Sequence, residues 1–232
     1  MIWEKFKDKF HSSWHSKIQK FIESPECDEI FAFLKSKKEE GIDIAPSAFC
    51  LFRAFKDTSL DELKLVIIGE NPYNTFVDDV PIDTGILFGA NTRIQPNLQE
   101  FYAGIENEMY NGLNLNIIYD YDLEHYTSQG ILMIPSSFTI ERDAEKGHNK
   151  IWKPFMEYIL KEIIAYTGVP ILFLGKSKQY MPAMEQSNYC YSLPMPVFGN
   201  IWNTEEVIKK INADIWDTNE EVILWRTIEL PF

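Results

Sequence analysis

Cysteine is scarce in this chain: Cys27, Cys50 and Cys190 are its three, odd in number and far apart. That argues against a disulfide framework or a zinc cluster and fits a reducing compartment. Histidine is scarce too. His11, His15, His125 and His148 show no zinc-ligand spacing, so no metal is expected. A Gly-rich nucleotide fingerprint is missing, and no cofactor is expected either. No apolar run approaches the roughly 20 residues of a membrane span. The first ten residues, MIWEKFKDKF, alternate charge with aromatics and lack a signal-peptide apolar region. The expected location is therefore cytoplasmic, with no membrane partner.

Basic residues are the last shortage. Lys and Arg total 22 against 35 Asp and Glu, for a net charge of −13. Phosphate binding normally recruits Lys and Arg into a basic patch, so the balance counts against a nucleic-acid partner. Acid gathers at 78–83 and at 205–229, while lysines gather at Lys5, Lys7, Lys9, Lys17, Lys20, Lys176 and Lys178. Solvated helix faces are the plain reading of these runs, and a local basic groove stays open beside it.

What is present is organised. Residues 64–73 read KLVIIGENPY, an all-apolar run that breaks into a Gly-Glu-Asn-Pro-Tyr turn. Such a run suits a strand buried on both faces of a parallel sheet. Gly69 is expected to free the turn and Pro72 to stiffen it. Glu70 and Asn71 then sit at the carboxyl end of a strand, where open α/β sheets keep their ligand crevice.

Trp3, Phe6, Phe10, Trp14 and Ile18 follow helical spacing, and a second helix is expected over 28–38. A short helix is expected at 49–55, the first strand at 65–68, and a helix at 97–109 capped by Asn97. A strand at 130–134, a helix at 152–166 and a strand at 169–174 come next. A fourth short strand precedes Leu193, and a helix covers 205–213. With 45% hydrophobic residues, strands alternating with helices and no repeat, the expectation is one three-layer α/β domain over 1–232. N-terminal helices occupy 1–40 and an acidic tail 217–232; a monomer is expected.

Seven short motifs, in order, resemble the uracil-DNA glycosylase family. The family's Gly-Gln-Asp-Pro-Tyr-His stands here as Gly69-Glu70-Asn71-Pro72-Tyr73-Asn74, and its Gly-Leu-Ala-Phe as Gly85-Ile86-Leu87-Phe88. A phosphate-contacting Pro loop matches Gln95-Pro96-Asn97-Leu98, and the strand ending in a base-reading Asn matches residues 130–135. His148 precedes Trp152 as a family His precedes a Trp-led helix. The Gly-Ser phosphate loop matches Gly175-Lys176-Ser177, and the His-Pro-Ser-Pro-Leu intercalation loop matches Leu193-Pro194-Met195-Pro196-Val197.

The resemblance implies a three-layer α/β/α fold with a short central parallel sheet. It also implies base flipping and hydrolysis of an N-glycosidic bond in DNA, with Phe88 stacking on the base and Tyr73 walling its C5 side. Pro96, Asn97, His148, Lys176, Ser177, Met195 and Val197 fall at DNA-contacting positions.

The departures from the family bear on chemistry. Asn71 replaces an Asp that assists water attack, keeping the shape and losing the charge; mismatch-specific members of the superfamily also carry Gly-x-Asn-Pro. Glu70 matches branches that carry Gly-Glu and offers a carboxylate. Pro135 replaces the Asn that reads uracil and has no side-chain donor or acceptor. Leu193 replaces the His that stabilises the leaving base. Hydrogen-bond readout of this kind discriminates by roughly 10⁴ or more and disappears with its partner, so plain uracil is not the expected substrate.

The connection at 74–84 is longer than the family's and carries Asp78, Asp79 and Asp83. It reads either as a solvated surface loop or as a source of acceptors, Asp83 among them, for a polar substituent on the base. The leading expectation is a glycosylase for a modified pyrimidine, such as glucosylated hydroxymethylcytosine in phage DNA, acting in antiviral defence. A catalytically inactive DNA-binding or replication-accessory protein on the same fold is the alternative, as are a divergent uracil-repair enzyme and an acidic interaction module.

Overall fold

The computed structural model describes residues 3–110, 117–118, 120–200, 202–219, 221–225 and 227–228. Its centre is a four-stranded sheet of β1 (Leu65–Gly69), β2 (Ile131–Pro135), β3 (Ile171–Leu174) and β4 (Cys190–Leu193). The strand order is β2-β1-β3-β4 and every pairing is parallel. Every residue of β1, β2 and β3 is buried. That is why these strands read as unbroken apolar runs: a parallel sheet covered on both faces has no solvent side to alternate with. Edge strand β4 is only partly buried.

From β1 the chain leaves toward β2 on one side, and from β3 it leaves toward β4 on the other. The carboxyl ends of β1 and β3 therefore frame the switch point where α/β sheets bind ligands. The expected α/β architecture, with its short central parallel sheet, is the architecture present.

Five longer helices cover the sheet: α1 (His15–Ile22), α2 (Pro25–Glu39), α3 (Pro96–Met109), α4 (Asn149–Tyr158) and α5 (Val207–Asn219). Ser24 caps α2 by accepting from the Cys27 N–H, Pro25 opens it, Glu26 and Asp28 lie in its first turn, and Lys37 and Lys38 lie in its last. Each feature complements the unpaired groups or the dipole of a helix end. Helices α2 and α4 pack together, as do α3 and α5. Trp14, Phe52, Phe55, Phe138, Trp152 and Phe155 form one aromatic cluster. Phe88, Phe101, Tyr102, Tyr126 and Trp202 form another. Full burial of side chains this large contributes about 1.5–3 kcal/mol each. Among the described residues, no helix is long and apolar enough to cross a membrane.

Several expected elements differ. The stripe from Trp3 to Ile18 is not one helix. Short turns at Trp3–Phe6, Lys7–Lys9 and Ser12–Trp14 precede α1, and Phe10 is extended, with φ −127° and ψ 145°. The His11 N–H is drawn to the Phe55 carbonyl, and Phe10 packs on Phe52 and Phe55. Tertiary packing has overridden helical spacing. The expected helix at 49–55 is only Arg53–Asp57, and Phe49 is exposed. Pro96 rather than Asn97 opens α3, so Asn97 is not its cap. The expected helix at 152–166 begins earlier and loosens into π-helical Ile159–Ile163 and 3₁₀ Ile164–Tyr166. The acidic tail is docked where it is described: Ile223 and Trp225 are buried, and the Tyr126 hydroxyl donates to the Trp225 carbonyl at 2.8 Å.

Candidate active site

Immediately after β1, the Ser136 N–H donates to the Gly69 carbonyl and the Ser137 N–H to the Glu70 carbonyl, at 2.9 and 3.0 Å. These bonds clamp the turn to the end of β2. Gly69 has no left-handed torsion to accommodate, contrary to expectation. Its lack of a side chain leaves room for Leu87, whose terminal methyl an added Cβ would meet at 2.4 Å.

Glu70 lies at the switch point. Its Oε1 accepts the Lys176 backbone N–H at 2.9 Å, and the Lys176 ammonium is 3.8 Å from Oε2. Gly175, at φ +62°, makes this approach possible, since a Cβ there would stand 2.3 Å from Glu70 Oε1. Asn71 is fixed from the other direction: its Oδ1 accepts the Gly147 N–H at 3.1 Å. A backbone N–H only donates, so it dictates which end of the carboxamide faces it. The NH₂ end has no hydrogen-bond partner among the described residues. A Cβ on Gly147 would meet Asn71 Oδ1 at 2.6 Å, so this loop approaches closely only as glycine.

Around these two groups lies a cleft of about 370 Å³ that brings together Glu70, Asn71, Tyr73, Phe88, Asn97, Met195 and Val197. Pro72, Asn74, Ile140, Ala144 and Glu145 complete its wall; no family motif pointed to Ile140, Ala144 or Glu145, and Asn74 stood out only as the last residue of one. Glu70 also lines two adjoining clefts. One, about 390 Å³, is lined by polar residues, with Asn71, Ser136, Glu145, Lys146, Asn149, Lys176 and Gln179 beside Glu70. The other, about 540 Å³, holds Lys176, Lys178, Leu193 and Met195. Lys146, Lys176 and Lys178 thus put positive charge around the site of a strongly acidic protein.

Phe88 is almost fully buried and holds φ +67°, a torsion that a bulky side chain rarely adopts and that costs about 1–3 kcal/mol. Its ring lies 5.4 Å from Phe101. The Tyr73 hydroxyl is buried without a hydrogen-bond partner among the described residues. Burial, helped by the nearby Asp83 charge, pushes this phenol well above its ordinary pKa.

Three expected site residues do other work, and two more lie off the cleft around Asn71. Asp83 is buried, with Oδ2 accepting the Tyr73 N–H at 2.7 Å and Oδ1 accepting the Gly85 N–H at 2.8 Å. It staples the two ends of the 74–84 loop instead of reaching the base cleft. Burial pushes its carboxyl up to about 7 against the opposing pull of those two N–H groups. The rest of the loop is a hairpin, Phe76–Val77 against Val80–Pro81, with Asp78 and Asp79 both left-handed in a two-residue turn, as a type I′ turn demands.

Ser177 is fully buried and its hydroxyl donates to the Ile68 carbonyl at 2.7 Å, so it is a fold contact, not a DNA contact. His148 is likewise occupied. Trp152 Nε1 donates to Thr139 Oγ1 at 2.7 Å, leaving that hydroxyl to donate to His148 Nδ1 at 2.9 Å; His148 Nε2 then donates to Glu141 Oε1 at 3.4 Å. Burial lowers the His148 pKa, with Glu141 opposing. Pro135 is buried opposite Gly69 and does not line the cleft around Asn71, and Leu193 lines only the third cleft. Pro96 is exposed at the start of α3, beside the cleft residue Asn97. Among the described residues no group of three His, Cys, Asp or Glu is placed to hold a metal.

No family model matches the chain. A uracil-DNA glycosylase of Streptococcus pneumoniae (strain P1031) is 24% identical over 226 residues, covering 93% of this chain and 98% of the relative. One from Azotobacter vinelandii is 27% identical over 170 residues, covering 72% and 69%. Among solved structures, mimivirus uracil-DNA glycosylase superposes with a TM-score of 0.79 at 19% identity, covering 96% of this chain and 92% of the other. The wild-type UNG structure from Nitratifractor salsuginis gives 0.63 at 15% identity, covering 93% and 92%. Sequence likeness along nearly the whole length, a shared fold and seven motifs in order converge on one conclusion: the chain belongs to the uracil-DNA glycosylase superfamily.

Proposed function

We propose that this DNA glycosylase, a monofunctional hydrolase of N-glycosyl bonds, excises a modified pyrimidine in preference to plain uracil. One observation carries the reading. Polar groups converge where the sugar would sit, at Glu70 and Asn71, while the positions that read uracil in the family hold Pro135 and Leu193. Extruding a nucleotide costs a few kcal/mol, offset by stacking of the base on Phe88 and by contacts of the DNA backbone with Lys146, Lys176 and Lys178.

The chemistry then divides between two neighbours. Departure of the base leaves positive charge on the sugar, and preorganised dipoles and charges at that point lower the barrier. The Asn71 carboxamide, locked by Gly147, orients a water but cannot take its proton. The Glu70 carboxylate, held by the Lys176 N–H, lies beside it and supplies both negative charge and a base.

The substituent is a hydroxyl-rich group of the kind carried by glucosylated hydroxymethylcytosine in phage DNA. The polar cleft beside Asn71, with Ser136, Glu145, Asn149 and Gln179, offers it donors and acceptors, a role the sequence had pointed toward the Asp-rich loop. An enzyme of this kind, working as a monomer, leaves undecorated host DNA intact and restricts phages that decorate theirs.

Duplexes carrying cytosine, uracil, hydroxymethylcytosine or glucosylated hydroxymethylcytosine, scored for abasic sites, test this. Cleavage confined to the decorated base is the expected result. Robust excision of uracil with none of the modified bases overturns the substrate assignment. Tight binding without excision from any duplex overturns the enzymatic one.

A further inference from the structure

We propose that the apolar groove between α2 and the segment 42–52 docks an acidic amphipathic helix of a partner protein, a role separate from base excision. The groove encloses about 550 Å³. The apolar stripe of α2 leads into it. Cys27, Ile30, Phe31 and Leu34 follow helical spacing. The first two are buried, whereas Phe31 and Leu34 are half-buried and open on the groove. Phe6, whose ring lies 4.6 Å from that of Phe31, joins Ile42, Ile44 and Leu51 in the floor. Past the lining residue Ala48, the apolar surface continues onto Phe49, which is 76% exposed. An apolar patch of this kind with a polar rim marks an interaction site.

The rim selects the occupant. Lys9, Lys35 and Lys38 line it, with Lys35 and Lys38 one helical turn beyond Phe31 and Leu34 on the same side of α2. Lys9 and Lys56 stand over the exposed Phe49 ring, 4.3 and 5.9 Å from its centroid. Asp43, the one acid among the lining residues, is already paired with Arg142 at 3.3 Å. Lys35 meets Glu39 at 3.6 Å, both largely exposed, and Lys38 has no ion pair among the described residues. A chain of net charge −13 thus sets four lysines around its apolar hollow. Charges farther away than about 8 Å are largely screened at physiological ionic strength, so this rim outweighs the net charge for a ligand in the groove. A helix with apolar residues at i, i+3, i+4 and i+7 fills such a floor, and carboxylates on its flanks meet the lysines. A phosphate backbone would satisfy the rim and leave the hollow empty, which sets DNA aside.

Fluorescence anisotropy of labelled synthetic helices about four turns long, titrated with the full chain, tests the proposal. One probe carries Leu at i, i+3, i+4 and i+7 with Glu on its flanks, a second replaces each Glu by Lys, and a third replaces each Leu by Ser. The first is expected to bind, less tightly as salt rises, and the other two to bind about tenfold more weakly or worse. Phe49→Ala should weaken the first probe by about fivefold or more, the scale of an interface hot spot. The pair Lys35→Glu with Lys38→Glu should weaken it as much and remove its salt dependence. Both variants should keep wild-type thermal stability and wild-type affinity for an abasic duplex.

Failure of the first probe to bind, equal binding of the basic probe, or wild-type affinity in both variants overturns the proposal. So does a different occupant: self-association of the chain, or sedimentation with anionic phospholipid vesicles, that the same two variants abolish.

Discussion

The exits of β1 and β3 and the exits of β2 and β4 are two halves of one site, and they differ in kind. At β1 and β3 the chain places a carboxylate held by the Lys176 N–H, a carboxamide held by the Gly147 N–H, and an ammonium 3.8 Å from the carboxylate. At β2 and β4 it places a proline and a leucine, both buried. In the function proposed above, the first half would handle what every DNA nucleotide shares, a sugar and its phosphates. The second half holds no hydrogen-bonding side chain at the two positions that match the family's base-reading groups. Polar chemistry and its absence thus fall on different strands of one sheet.

The sharpest way to break this comparison is to empty the polar half. Asn71→Ala should lower base excision by about 10² or more, the scale of one lost positioned polar group, with thermal stability unchanged. Full activity in a folded variant would remove Asn71 from the chemistry. Glu70→Gln apportions the work: a loss as large as that of Asn71→Ala makes Glu70 the water activator, while a mild one leaves the amide acting alone.

Away from the cleft, at the staple of the 74–84 loop, the corresponding test is one of stability. Asp83→Asn turns an NH₂ toward one of two backbone N–H donors and should cost about 1–3 kcal/mol in denaturant melts. Its pH dependence has a definite sign. With the native carboxyl near 7 and the unfolded one near 3.9, the folded state holds an extra proton between those values. Asp83 therefore contributes most below about pH 4, and its contribution falls as pH rises to 7, by at most about 1.4 kcal/mol per unit. The wild-type advantage over Asp83→Asn should shrink across that window, and a gap that widens instead would contradict the burial argument.

The smallest expected effect is Lys176→Ala, which should weaken binding to all DNA sequences alike and reduce the salt slope by about 0.9, one phosphate's share. An unchanged slope would take this lysine off the DNA path.

Much of the fold was legible because β1, β2 and β3 are apolar end to end and the turn after β1 is written in Gly, Glu, Asn and Pro. The polar half of the candidate site was legible for the same reason, since the end of a buried apolar strand marks the polar turn beyond it. Asp83, Ser177 and His148 were not. Their partners are a backbone amide ten residues away, the Ile68 carbonyl, and Glu141 with Thr139, and a polar residue in a family motif looks the same whether it faces DNA or the core. The stripe from Trp3 to Ile18 misled for the converse reason: all but the half-buried Phe6 are buried, but broken turns bury them as well as a helix would.

Lys37, near the end of α2, pairs with Glu141 at 3.1 Å, and Glu141 meets His148, whose neighbour Gly147 grips Asn71. A run of contacts therefore joins helix α2 to the carboxamide in the cleft. The N-terminal helices are not a separate layer of decoration: the ion pair that ends α2 and the grip on Asn71 belong to one connected set of side chains.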